Sequence, residues 1–174
     1  GSEPLAPASP RATDSRFAEG LTGTMLRAFR EAISPRAYYS IQGPPGSGKT
    51  HLLARLALYF ALEENKRVLI TAVAHQSIHH ALGETVWVGR RMAEGAPGAK
   101  ELLSDGIYKL GSSRGNNEGL PDGVRPALRI SKQKRPLIAG ATLYAALHPA
   151  WGFSRHPFDV ILFDEAGQAP MILG

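Results

Sequence analysis

Apolar residues recur along this chain with two different periods. Phe17, Leu21, Met25, Phe29 and Ile33 fall four apart, the spacing of one helix face, with Gly20 and Gly23 weakening it and Pro35 following as a stop. Residues 37–42 (AYYSIQ) predict a short buried strand, and from Lys49 an apolar helix is expected to run to about Glu64, where Asn65, Lys66 and Arg67 mark its end. Residues 68–72 (VLITA) are rich in β-branched residues and predict a strand, and a helix is expected from near His75 to beyond Leu82. Residues 136–142 (PLIAGAT) predict a strand and a turn, and residues 158–163 (FDVILF) a second central strand. Strands alternating with helices argue for an α/β fold with a mostly parallel central sheet. Residues 83–135 break the pattern with repeated glycines. They read as an irregular insertion in which only residues 106–110 (GIYKL) suggest a short strand. Residues 1–16 hold three prolines among small polar residues and read as a disordered leader or tag remnant, leaving 17–174 as the folded unit.

Composition narrows the class. A chain of 174 residues, 43% hydrophobic, suffices for one domain with a core. Cysteine is absent, which rules out disulfides and thiolate metal sites. The apolar stretch over residues 52–62 is interrupted by Arg55 and falls short of the roughly 20 residues that span a bilayer. No basic region followed by an apolar run suggests a signal peptide. The expectation is an intracellular, cytoplasmic protein (nuclear if eukaryotic) with no membrane partner. The net charge of +5 permits contact with nucleic acid without requiring it. Arg125, Arg129, Lys132, Lys134 and Arg135 form a strip with no acid among them. The strip reads either as a solvated loop or as a phosphate-contacting surface, with Arg129 and Lys132 as candidates.

The most informative chemistry lies in Gly43, Pro44, Pro45, Gly46, Ser47, Gly48, Lys49 and Thr50, a GxxxxGK[ST] phosphate-binding loop. Glycines let the backbone curl so that successive N–H groups point at phosphate oxygens, and the following helix adds its positive end. Lys49 is expected to reach the β- and γ-phosphates, and Thr50 to offer its hydroxyl to Mg²⁺. Asp164 and Glu165 follow the second apolar strand. A carboxylate at the C-terminal end of a central parallel strand lies beside such a loop. Asp164 is expected to hold Mg²⁺ and Glu165 to orient or deprotonate the attacking water. His75 and His79 have helical spacing, but Gln76 stands where a zinc-protease motif needs Glu, so they read as surface residues.

Taken together, IQGPPGSGKT (residues 41–50) and DEAGQA (residues 164–169) resemble motifs I and II of superfamily 1 helicases, in the branch of the nonsense-mediated-decay RNA helicase and its bacterial DNA-helicase relatives. The resemblance covers about residues 20–174. It implies a three-layer RecA-like P-loop NTPase domain, bound ATP and Mg²⁺, and Gln168 acting with Lys49 and Glu165 in catalysis. Residues 68–82 (VLITAVAHQSIHHAL) are similar to the family's motif Ia, which implies that Thr71, Ala72, His75 and Gln76 face single-stranded DNA or RNA. Residues 137–147 (LIAGATLYAAL) are similar to its next strand, with Thr142 at the nucleic-acid path.

Met25 stands where the family carries an adenine-reading Gln, while Val73 and His79 replace a more usual Pro and Asp. The sequence stops ten residues after Asp164, before motif III. The resemblance therefore implies an incomplete domain, lobe 1 of a motor whose second RecA-like lobe would supply arginines. The alternative is a nucleotide-dependent switch or remodelling ATPase that does not unwind.

Overall fold

The computed structural model describes residues 15–34, 48–111, 117–149 and 157–164. Helix α1 spans Gly23–Ala32. Helix α2 (Lys49–Leu58) passes into a π-helical turn at Tyr59–Glu63, close to the predicted end. Strand β1 (Arg67–Ala72) leads into α3 (His75–Met92), and α4 (Ala99–Asp105) precedes β2 (Ile107–Leu110) and β3 (Arg125–Ala127). Strand β4 (Leu137–Thr142), the short helix α5 (Leu143–Leu147) and β5 (Val160–Phe163) complete the described elements.

The five strands form one sheet in the order β3-β2-β4-β1-β5, and every pairing is parallel. Strand β1 is central, with Ala72 opposite Thr142 of β4 and Thr71 opposite Phe163 of β5. All six of its residues are buried, as expected of a parallel strand covered on both faces. Val68, Ile70 and Ala72 point into a core shared with α2, α3 and α4. Leu69 points the other way, into a smaller cluster with Ala139, Ala141 and Ala145 and Ala146 of α5. The α/β layering is therefore thick on one side and thin on the other.

Gly140 makes this packing possible. A Cβ there would lie 2.7 Å from both Ile78 and Leu82 of α3, so any larger residue would push the helix off the sheet. Helix α2 is buried over Leu52–Leu58 because it lies inside the thick layer, apolar almost all round.

Two expectations are corrected. The stretch 83–135 is not an irregular insertion: it carries the second half of α3, all of α4, and the sheet strands β2 and β3. Its glycines sit mostly at turns, where Gly95, Gly98, Gly119 and Gly123 take positive φ. The leader does not extend to residue 16 either. Ser15 is buried, its Oγ accepts the Phe17 amide at 3.1 Å, and its hydroxyl donates to Glu63 at 2.9 Å. The predicted strand 37–42 and residues 1–14 lie outside the described residues. No described helix is long and apolar enough to cross a membrane.

A buried arginine holds the N-terminal edge of the sheet together. Arg67 is 1% exposed and donates to the carbonyls of Pro157, Ser131 and Lys134, each at 2.8 Å. Its backbone N–H donates to Asp159 Oδ2 at 2.8 Å, and Arg135 donates to the same oxygen. Those two hydrogen bonds hold the Asp159 carboxyl below its ordinary range. A carboxyl so depressed stabilises the fold above its unfolded pKa, and that contribution is lost as pH falls through the folded value. Asp159→Asn is expected to lower the melting temperature near neutrality by about 2–4 °C, the shift for about 1 kcal/mol in a domain of this size. The difference from the unsubstituted chain should vanish in acid, below the folded pKa. Thermal melts from pH 7 down to pH 2 would check this.

Candidate nucleotide site

Helix α2 begins where the glycine motif ends. Gly48 caps it with φ +84°, a left-handed conformation that glycine adopts without strain, and its carbonyl accepts the Leu52 amide at 3.0 Å. Gly48 also has a close neighbour, since a Cβ there would lie 3.0 Å from Met25 Cε. Met25, standing where the resembling family carries Gln, is thus packed against the last glycine of the motif. Residues 43–47 lie outside the described residues, as do Glu165 and Gln168.

From this start Lys49 meets Asp164. Asp164 directly follows β5, and its backbone N–H donates to Thr71 O at 2.8 Å, extending the β1–β5 ladder by one bond. This bond places the carboxylate at the C-terminal edge of the sheet. Lys49 Nζ lies 3.2 Å from Asp164 Oδ1, with the two side chains 12% and 5% exposed. The separation is that of an ion pair, but the direction is not that of a hydrogen bond, and among the described residues Oδ1 is buried without a hydrogen-bond donor. A buried carboxylate oxygen in this state suits a hard cation, and Thr50, next in sequence to Lys49 in the first turn of α2, carries a hydroxyl that could join it. Asp164, Thr50 and Lys49 therefore fit a triphosphate bound with Mg²⁺.

A further set of contacts leaves the same helix turn. Arg55 Nε donates to His51 Nε2 at 2.8 Å, and His51 Nδ1 lies 2.9 Å from Glu84 Oε1 of α3. An arginine can only donate, so Nε2 must accept. His51 is then neutral, carries its proton on Nδ1 and donates to Glu84. The Arg55 guanidinium also donates to the carbonyls of Phe17 and Glu19, and burial lowers its pKa from the ordinary value. These contacts tie α3 to the residue after Thr50. In the sequence, only the arginine inside an otherwise apolar helix hinted at them.

The expected nucleic-acid residues behave unevenly. Thr71, Ala72 and Thr142 do reach the same C-terminal edge, but they are 2%, 1% and 4% exposed. The Thr142 hydroxyl accepts the Ala145 amide at 3.2 Å as the cap of α5. As placed here, none of the three presents its side chain to a ligand. His75 is half-buried, and its Nδ1 is sealed from solvent without a hydrogen-bond partner. Burial, then Lys109 and then His79 lower its pKa, which favours the neutral ring. Gln76 is exposed.

The basic strip is not brought to this edge. Lys132 lies in the turn whose Ser131 and Lys134 carbonyls bind Arg67, at the opposite, N-terminal edge of the sheet. Arg129 is exposed in the segment between β3 and that turn. Acids absent from the strip itself arrive from elsewhere: Asp105 pairs with Lys134 at 2.9 Å and Arg125 at 3.7 Å, and Asp159 with Arg135. Among the described residues no cluster of three or more His, Asp or Glu could hold a metal.

No protein-family model matches the chain, and no solved structure matches it. Among curated proteins, the chain is similar to replicase polyprotein 1ab of murine coronavirus (strain 2), 41% identical over 46 residues. The match takes in 26% of this chain and 1% of the polyprotein, so the chain spans a very small part of that relative.

The Lys49–Asp164 pair has a measurable signature. Removing one partner of a buried ion pair strands the other charge, at a cost of about 3–5 kcal/mol. Lys49→Met is therefore expected to destabilise the nucleotide-free chain strongly, and adding Asp164→Leu should recover most of the loss. Urea unfolding of the two single variants and the double variant would check the coupling.

Proposed function

We propose that this chain is the ATP-binding N-terminal motor lobe of a superfamily 1 DNA or RNA helicase. The observation that carries the reading is the approach of Lys49 Nζ to 3.2 Å from Asp164 Oδ1 at the C-terminal edge of an all-parallel sheet. A lysine opening a helix after a glycine motif, facing a carboxylate that follows the strand paired with central β1, is the arrangement that triphosphate hydrolysis needs. The similarity to a protein named as a replicase supports the same direction.

In this reading Lys49 would bind the β- and γ-phosphates, and Asp164 and the Thr50 hydroxyl would hold the metal. When bound, Mg²⁺ would neutralise charge on the phosphate oxygens. Glu165, the next residue, orients or deprotonates the attacking water, and Gln168 completes the same motif. Single-stranded DNA or RNA runs along the C-terminal edge past Gln76, with contacts at Thr71, Ala72 and Thr142 confined to the backbone while their side chains stay buried. A second RecA-like lobe in a longer parent chain supplies arginines to the transferring phosphoryl group, a contribution worth about 10³–10⁵ in rate.

Titration with a fluorescent ATP analogue tests the reading. Binding should require Mg²⁺, vanish in Lys49→Ala, and survive in Glu165→Gln. Turnover by the 174-residue chain should be slow or undetectable. Mg²⁺-independent binding that Lys49→Ala leaves intact would refute a phosphate-loop site, and turnover at motor-like rates would refute dependence on a second lobe.

A further inference from the structure

The buried state of Thr71, Ala72 and Thr142 raises the question of what surface a strand could grip. Helix α3 starts at the same sheet edge and runs back across the sheet. Its solvent-facing stripe is Gln76, His80, Glu84, Trp87 and Arg91, at intervals of three and four residues. Beside this stripe lies a cleft of about 590 Å³ between α3 and the turn carrying Gly119 and Pro121. Gly83 sets how closely the turn approaches, since a Cβ there would lie 3.1 Å from the Pro121 ring.

The lining has a specific chemical character. Trp87 is 49% exposed, unusual for an indole on a helix that otherwise buries its large apolar residues. Arg91 stacks on its ring at 4.0 Å, which holds the indole plane in place and adds positive charge beside it. Gln76, His79 and His80 add side chains able to donate and accept hydrogen bonds. Glu84 lines the cleft and brings a carboxylate whose Oε1 accepts from His51, which fixes the group's position.

We infer that this cleft is a base-stacking subsite for single-stranded nucleic acid, with Trp87 as the platform and Glu84 selecting bases that carry an exocyclic amino group. The inference rests on the proposed function, which it extends along the flank of α3. An indole offers a π-face that any base can stack on, and a neighbouring guanidinium strengthens the contact and meets the backbone charge. A carboxylate accepts from the exocyclic amino group of cytosine or adenine, whereas thymine and uracil offer only the ring N3–H on that edge, so the discrimination is partial, of several-fold size. Gln76 joins the cleft to the sheet edge beside Ala72, so one strand can occupy both. Through Glu84 and His51 the cleft also touches the residue after Thr50.

Fluorescence anisotropy of labelled dC, dA and dT 12-mers against the 174-residue chain at low salt tests this. The unsubstituted chain should bind dC and dA several-fold more tightly than dT. Trp87→Ala should weaken all three by about tenfold or more, the loss expected when one base loses its platform. Trp87→Phe should retain most of the affinity, Glu84→Gln should erase the preference over dT, and ATP-analogue binding by Trp87→Ala should be unchanged. A folded Trp87→Ala variant, judged by circular dichroism, that binds all three oligomers normally overturns the inference. A chain that binds the ATP analogue with Mg²⁺ but no oligomer also overturns it, while leaving the nucleotide half of the proposed function standing. A chain that binds neither overturns both.

Discussion

Parallel pairing of β1 with β4 on one side and β5 on the other is the constraint on which the rest of this molecule depends. Parallel strands point the same way, so the pairing brings the C-terminal ends of three strands to one edge. Thr71 and Ala72, Thr142 and Asp164 arrive there together from distant parts of the sequence. The edge is also where the chain changes direction across the sheet, from β4 on one flank of β1 to β5 on the other, and such reversals open crevices in α/β folds. The glycine that admits α3 onto β4 serves the same geometry, because α3 carries His75 and Gln76 out from that edge.

Several charges are buried in service of this arrangement, and each is compensated differently. Arg67 satisfies backbone carbonyls that close the N-terminal edge, and Arg55 does the same for the turn after residue 16. Lys109, fully buried on β2, donates to Asn117 Oδ1 at 3.2 Å, and burial lowers its pKa. These hydrogen bonds go to neutral acceptors, which suits permanent structural roles. Lys49 and Asp164 instead form an ion pair without a hydrogen bond between them. Such a pair can be exchanged for other charges, such as phosphate for the carboxylate and a metal ion for the ammonium.

Much of the fold was legible in the order of residues. The strand at 68–72 announced itself as an apolar, β-branched run, because a strand covered on both faces needs no polar alternation. The apolar run at 158–163 also became a strand, but not the expected central one: among the described residues β5 lies at an edge of the sheet, and Ile161 and Phe163 are exposed. Helices α2 and α3 were legible from long periodic segments bounded by breakers. Strand β2 was foreshadowed by residues 106–110, but its place in the main sheet was not, and β3 was not legible at all. One has four residues and the other three, β3 contains Pro126, and both are separated by glycine-rich turns. Such short segments become strands only when a neighbour supplies the ladder, here β4 for β2 and β2 for β3.

The sequence by itself determined the α/β class, the position of the glycine motif at the start of a helix, and the pairing of that motif with a carboxylate after an apolar strand. These are local properties, set by period, breakers and side-chain type within a few residues. Tertiary structure alone decided which charges meet and which side chains see solvent. It sent Asp105 and Asp159 to a basic strip that has no acid of its own, turned Thr71 and Thr142 inward, left Trp87 outside, and joined His51 to Glu84. The physical reason is that burial and ion pairing depend on neighbours brought together from opposite ends of the chain, and no window of adjacent residues contains them.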